Sequence, residues 1–179
     1  MDVKAIDGHR HIVVKEAVAA ASKLNPAKSV NLYPSGVNER SEEVNRSKAG
    51  PWDRKMADME ENLADLNAAG MDMGVLQPTQ TMFFYWAEPP AAAELARMVN
   101  EFTAKEVRKR PAQWVGLATL PLQDPELAVR ELTHAVKNLG LKGVVMGSNV
   151  NGRGFDEEAF LPFFAKVEEL GIPIFIHPN

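Results

Sequence analysis

Val3-Lys4-Ala5-Ile6-Asp7-Gly8-His9-Arg10-His11 stands near the start of the chain, and the way this stretch is read decides the architecture. Val3 to Ile6 is a short, mostly apolar run, and the polar residues all follow at its C-terminal end, as in a buried first strand of a parallel sheet. Alternate residues of a strand share a face, so regular spacing places Asp7, His9 and His11 on one side with two imidazoles converging. A dinucleotide-binding strand would continue into Gly-x-Gly-x-x-Gly, but histidines occupy that position here.

Outward from this strand, Asn25 to Pro51 is rich in Pro, Gly, Ser, Asn and charge with little periodicity, and reads as a long excursion or lid. From Asp53 the pattern becomes regular. Met56, Met59, Leu63 and Leu66 recur at helical spacing, Gly70 ends the helix, and Met73 to Leu76 reads as a second strand. Pro89 and Pro90 open a helix that stops near Pro111, and Trp114 to Ala118 is the third strand. Asp124-Pro125-Glu126 starts another helix, with a capping carboxylate and an acid beside the positive end of the dipole. Gly140 closes it before the strand Gly143 to Met146. Asp156 is read as the cap of a helix through Phe160, Phe163 and Val167 to Gly171, and Ile174-Phe175-Ile176-His177 follows as a fifth strand.

Strands alternating with helices imply right-handed parallel crossovers, hence an α/β fold. A barrel and an open doubly wound sheet both satisfy this pattern. The histidines in place of glycines after the first strand favour the barrel.

Composition restricts the chemistry. The 179 residues are 45% hydrophobic and 25% charged, enough for one domain with one core. With no cysteine, disulfides, thiolate metal sites and cysteine nucleophiles are excluded, so a metal must be held by His and carboxylate. A formal net charge of −4 offers no footprint for nucleic acid or anionic membrane. No apolar run is long enough to span a bilayer and no signal-peptide pattern leads the chain, so a cytoplasmic protein is expected.

A lone His-x-His also occurs on surfaces and in satisfied cores. The third histidine changes the reading: His9, His11 and His177 all fall at C-terminal strand ends, where barrel enzymes gather their catalytic groups, and three neutral imidazoles with an open position suit a catalytic zinc. His134, inside the helix after Asp124, has no partner signal and is read as solvated or capping.

Asp7-x-His9-x-His11, Met82 to Pro89, Val115 to Glu126, Gly143 to Gly152 and Ile176-His177-Pro178 together resemble the amidohydrolase superfamily, and within it the aminocarboxymuconate-semialdehyde decarboxylase family. The likeness covers the chain outside the excursion. It implies a TIM-like (β/α) barrel of the metal-dependent hydrolase type, of which residues 1–179 supply about the first five of eight strands. It also implies one zinc or other divalent ion on His9, His11 and His177, completed by an aspartate from the last strand and a water. A modified lysine bridges two metals at the end of the fourth strand in binuclear relatives. Here that end reads Val145-Met146-Gly147-Ser148, and Lys142 is at the other end, which favours one metal.

The chain stops two residues after His177, so by the same resemblance the general acid/base histidine after the sixth strand and the aspartate ligand after the eighth lie outside it. A fragment, a truncated product or one part of an assembly would each account for this, and the fragment is the preferred reading; a homo-oligomer or a C-terminal half would complete the sheet. The activity expected is non-oxidative decarboxylation of an unsaturated or aromatic carboxylic acid, a small-molecule substrate. Alternatives are hydrolysis of a lactone, ester or amide, and an inert metal-binding half-barrel. Asp7 is expected to support the histidines from behind, and Tyr85, Trp86, Asn149 and Arg153 to line the substrate pocket. Arg40, Arg46 and Arg54 cannot be matched to the family's carboxylate-binding arginine through the excursion.

Overall fold

The structure, a computed structural model, describes residues 3–28 and 38–178, apart from the side chains of 28, 45, 46 and 48–53. Five parallel strands, β1 (Ile6–Ile12), β2 (Met73–Pro78), β3 (Trp114–Ala118), β4 (Gly143–Gly147) and β5 (Ile174–His177), form one sheet in the order β1-β2-β3-β4-β5. Between β1 and β2 come α1 (Lys15–Leu24), α2 (Glu39–Ala57) and α3 (Met59–Ala68), and the later crossovers hold α4 (Pro89–Lys109), α5 (Pro125–Lys137) and α6 (Leu161–Leu170).

Each strand adds beside the one before it, so the order never reverses, whereas a doubly wound sheet must reverse at its switch point. Laid flat, the outer two of five strands would lie roughly 19 Å apart at ordinary strand spacing. The rings of His9 on β1 and Phe175 on β5 nevertheless have centroids 4.9 Å apart. The sheet curls around its own interior, giving the first half of a (β/α) barrel.

Burial explains the strand sequences. β4 is buried along its whole length, as a parallel strand covered on both faces must be, and so reads as an unbroken apolar run. Leu117, Val144 and Met146 join Phe160 and Phe163 in one core, and Ile12, Leu76 and Trp114 join Leu95 and Val99 of α4 in a second. Gly171 ends α6 in the left-handed conformation at φ 62°, which a residue with a Cβ adopts only at a cost.

The structure departs from the sequence reading in several of its elements. β1 begins at Ile6, not Val3, and runs to Ile12, taking in the histidines. Helix α1, not anticipated, turns Val14, Ala17 and Ala21 inward; its buried face is mostly alanine, which gives a faint hydrophobic signal. Within the Asn25 to Pro51 excursion, residues 29–37 and the side chain of Arg46 lie outside the description, but α2 starts at Glu39, with the Asn38 side chain accepting from the Ser41 N–H at 3.0 Å. The single helix read from Asp53 to Gly70 is two helices. Asp58, extended at φ −109° and ψ 110°, breaks it and accepts from the Glu60 and Glu61 N–H groups, capping α3. Asp156 does not cap α6: a 3-10 turn over Glu158–Phe160 intervenes and the helix begins at Leu161. Among the described residues, no helix is long and apolar enough to cross a membrane.

Candidate metal centre

β1 does not alternate regularly. Asp7 pairs with Gly74 and Arg10 with Leu76, so β1 fits one residue more than β2 over the same span, a β-bulge. Gly74 and Leu76 share a face of β2, and therefore Asp7 and Arg10 share a face of β1. The Arg10 Nε to Asp7 Oδ2 distance of 2.9 Å agrees. The expectation that Asp7, His9 and His11 face one way is thus corrected: the extra residue turns Asp7 to the helix side and leaves His9 and His11 facing His177. Asp7 still serves the site from behind, because its carboxylate accepts the His9 backbone N–H at 3.1 Å.

The three rings converge from opposite edges of the sheet. Ring centroids are 4.6 Å apart for His9 and His11, and 5.1 Å from each of them to His177. One nitrogen from each lies within 4.8 Å of the others, and Nε2 of His9 is 3.1 Å from Nε2 of His11. Two nitrogens each about 2.1 Å from one ion would be separated by about 3.0–3.4 Å, so this spacing fits a shared metal. Nδ1 of His177 is 2.6 Å from the Pro178 carbonyl, the contact that fixes which nitrogen a ligating imidazole leaves free.

Burial and neighbouring imidazoles favour the neutral form of the two β1 rings, the form that binds metal. Burial pushes the His11 imidazolium down to about 4, and the neighbouring His9 and His177 push in the same direction. His9 is also lowered, first by burial and then by His177, against the opposing pull of the Asp7 carboxylate.

The amidohydrolase family model matches residues 6–179. This chain belongs to the amidohydrolase family. The 2-amino-3-carboxymuconate-6-semialdehyde decarboxylase of Dictyostelium discoideum is 39% identical over 121 residues, covering 68% of this amidohydrolase chain and 34% of that protein. A gamma-resorcylate decarboxylase of a Polaromonas species is 40% identical over 99 residues, covering 52% and 30%. Among solved structures, the 5-carboxyvanillate decarboxylase of Novosphingobium aromaticivorans, complexed with manganese and 4-hydroxy-3-methoxy-5-nitrobenzoic acid, superposes with a TM-score of 0.80 at 25% identity, over 99% of this chain and 51% of that one. The chain thus spans about a third of the length of these curated relatives and half of the solved chain.

The other anticipated residues of this amidohydrolase are distributed unevenly. Tyr85 is buried in the core, and its hydroxyl accepts the Gly147 N–H at 3.2 Å, joining the loop after β2 to the end of β4. Its burial raises the phenol's pKa. Trp86 borders a different hollow, beside Leu24, Asn25 and Ala91. Asn149 accepts from the Gly152 N–H at 2.9 Å. Arg153 is 2.7 Å from Glu157 and lies over the Phe160 ring, 5.0 Å from its centroid. His134 is half-buried on α5 with its Nε2 enclosed and lacking a hydrogen-bond partner, rather than solvated or capping as expected, and it stands outside the histidine cluster.

The sequence reading missed Gln77 and Asn62. Gln77 is fully buried and donates from Nε2 to the Gly8 carbonyl at 2.8 Å, pinning the bulge from β2. Asn62 donates from Nδ2 to the His11 carbonyl at 3.3 Å. A glutamine inside the otherwise apolar Met73 to Pro78 strand was the available signal.

Proposed function

We propose that His9, His11 and His177 hold one divalent metal, and that the protein removes a carboxylate as CO₂ from an unsaturated or aromatic carboxylic acid without a redox cofactor. The convergence of three imidazoles from the first and fifth strands supports this most directly. The decarboxylases that the chain resembles support the choice of reaction. Manganese in the solved relative and zinc from the donor set both fit; three nitrogen donors lean toward zinc.

Bound there, a divalent ion supplies Lewis-acid polarisation and electrostatic orientation of the substrate. The chain's part is to present three fixed nitrogens in their metal-binding form, with Asp7 holding the His9 backbone. The reaction adds a proton at the carbon bearing the carboxylate; the bond to that carboxylate then breaks, its electron pair stays on the ring or alkene, and CO₂ leaves. Asn149 and Arg153, in the loop after β4, are the proposed substrate contacts. Arg153 would exchange Glu157 for the substrate carboxylate, a bidentate partner of the same charge. Further strands, from a C-terminal half or a second copy, would cover the outer edges of β1 and β5.

The test is elemental analysis of the full-length protein together with CO₂ release from a panel of aromatic and unsaturated acids. Bound zinc or manganese at one equivalent and release of CO₂ are expected. Purely hydrolytic turnover of esters or lactones would overturn the decarboxylase reading, and a protein that takes up no metal would overturn the site itself.

A further inference from the structure

We infer that Arg10, between the two histidines of β1 and pointing away from them, is the positioning residue that sets the geometry of the metal centre; this rests on the metal reading above. Its side chain is 11% exposed and reaches three partners. Nε donates to Asp7 at 2.9 Å, and Nη1 donates to the Asn62 carbonyl at 3.1 Å and to its side-chain oxygen at 2.9 Å. The guanidinium also lies 3.4 Å from Asp65, which in turn pairs with Lys55.

Two of these partners return to the ligand strand. Asp7 accepts the His9 N–H and Asn62 donates to the His11 carbonyl. Arg10 therefore fastens the main chain at both ligands to the first turns of α3, across the bulge where β1 is least supported by regular pairing. A buried cation engaged by several fixed acceptors has little freedom to move, and neither do the ring positions it holds.

β2 makes room for this arrangement. A Cβ at Gly74 would come within 2.7 Å of the Trp114 ring and 3.2 Å of the Arg10 stem, so the absence of a side chain there lets Arg10 lie along the sheet. Arginine is also required chemically, since a lysine ammonium cannot serve acceptors spread over three residues in one plane.

The experiment uses full-length protein stripped with a chelator and titrated with Co²⁺, reading affinity by calorimetry and coordination by the visible ligand-field bands. Arg10→Met should weaken Co²⁺ binding by about 10–100-fold and alter the bands, and Arg10→Lys should recover part of the loss. Glu131→Gln, which disturbs the buried pairing of Glu131 with Arg97 on the opposite flank, should leave affinity and bands as in the parent. If Arg10→Met does not fold, Asp65→Asn, at a side chain 38% exposed, is read in the same way. Parent protein that binds Co²⁺ alongside an Arg10 or Asp65 variant with unchanged affinity and bands would overturn this inference alone. Parent protein that binds no Co²⁺ would overturn it together with the metal reading.

Discussion

β4 is buried at each of its five residues, whereas β1 has one fully buried residue among seven and β5 has none among four. The difference follows chemistry. β4 bears no ionisable group, while β1 and β5 carry every imidazole of the cluster. Apolar continuity in the middle of the sheet holds the curl, and the curl brings the polar ends of the outer strands together. A flat sheet with the same strands would leave His177 far from His9. Stability and ligand geometry are therefore set by different residues, and each should be separable by substitution.

The largest effect expected is on the inner side. Phe163→Ala, at a residue with no exposure, should cost about 3–5 kcal/mol in urea denaturation, with the metal affinity of the folded protein unchanged; a parallel loss of affinity would break the separation. His177→Ala should do the reverse, lowering metal affinity at least 100-fold, about 2.7 kcal/mol, while the midpoint of the metal-free protein barely moves. Binding as tight as the parent's would mean that the outer strands hold no metal.

Glu131→Gln sharpens the contrast from the helix layer, between α4 and α5. The Glu131 carboxylate is 2.6 Å from Arg97 and accepts from Asn100 at 2.8 Å, and Asn100 also pairs with the backbone of Thr119 after β3. Loss of the charge should cost about 1–3 kcal/mol of stability, seen as a lower urea midpoint. The smallest effect concerns pH. Because His11 is held near 4 in the folded chain, the unfolded chain takes up its proton first, near 6.5. Stability of the metal-free protein is full above that value and declines as pH falls toward 4. Between pH 7 and 6 His11's part of the decline should be under about 1 kcal/mol, and His11→Gln should remove that part and leave the contribution of His9.

What could be read in the sequence was what is encoded locally. Trp114–Ala118 and Ile174–His177 were legible to the residue, because short apolar runs stood between clear helix signals. The Asp124 cap, which accepts from Leu127 N–H at 3.0 Å, was legible for the same reason. The site was half legible: three histidines at strand ends pointed to one cluster, but the facing of Asp7 did not follow. A bulge is a property of two strands in register, and nothing within residues 7–11 announces it. Arg10 was hidden likewise, since Asn62 and Asp65 stand more than fifty residues away. Tyr85 looked like a pocket wall because an aromatic after a strand suits either role, and only the Gly147 contact shows it tied into the core.

The surplus residue in β1 acts through its main chain alone. A methyl group at Gly8 would meet nothing within 4 Å, so Gly8→Ala keeps the count and should keep the pattern of faces. Deleting Gly8 removes the carbonyl that the Gln77 side chain holds, yet the shortened strand, now strictly alternating, would still keep Asp7 and Arg10 on one face and His9 and His11 on the other. What this position contributes is main chain: a carbonyl for Gln77 and the extra step that makes the bulge.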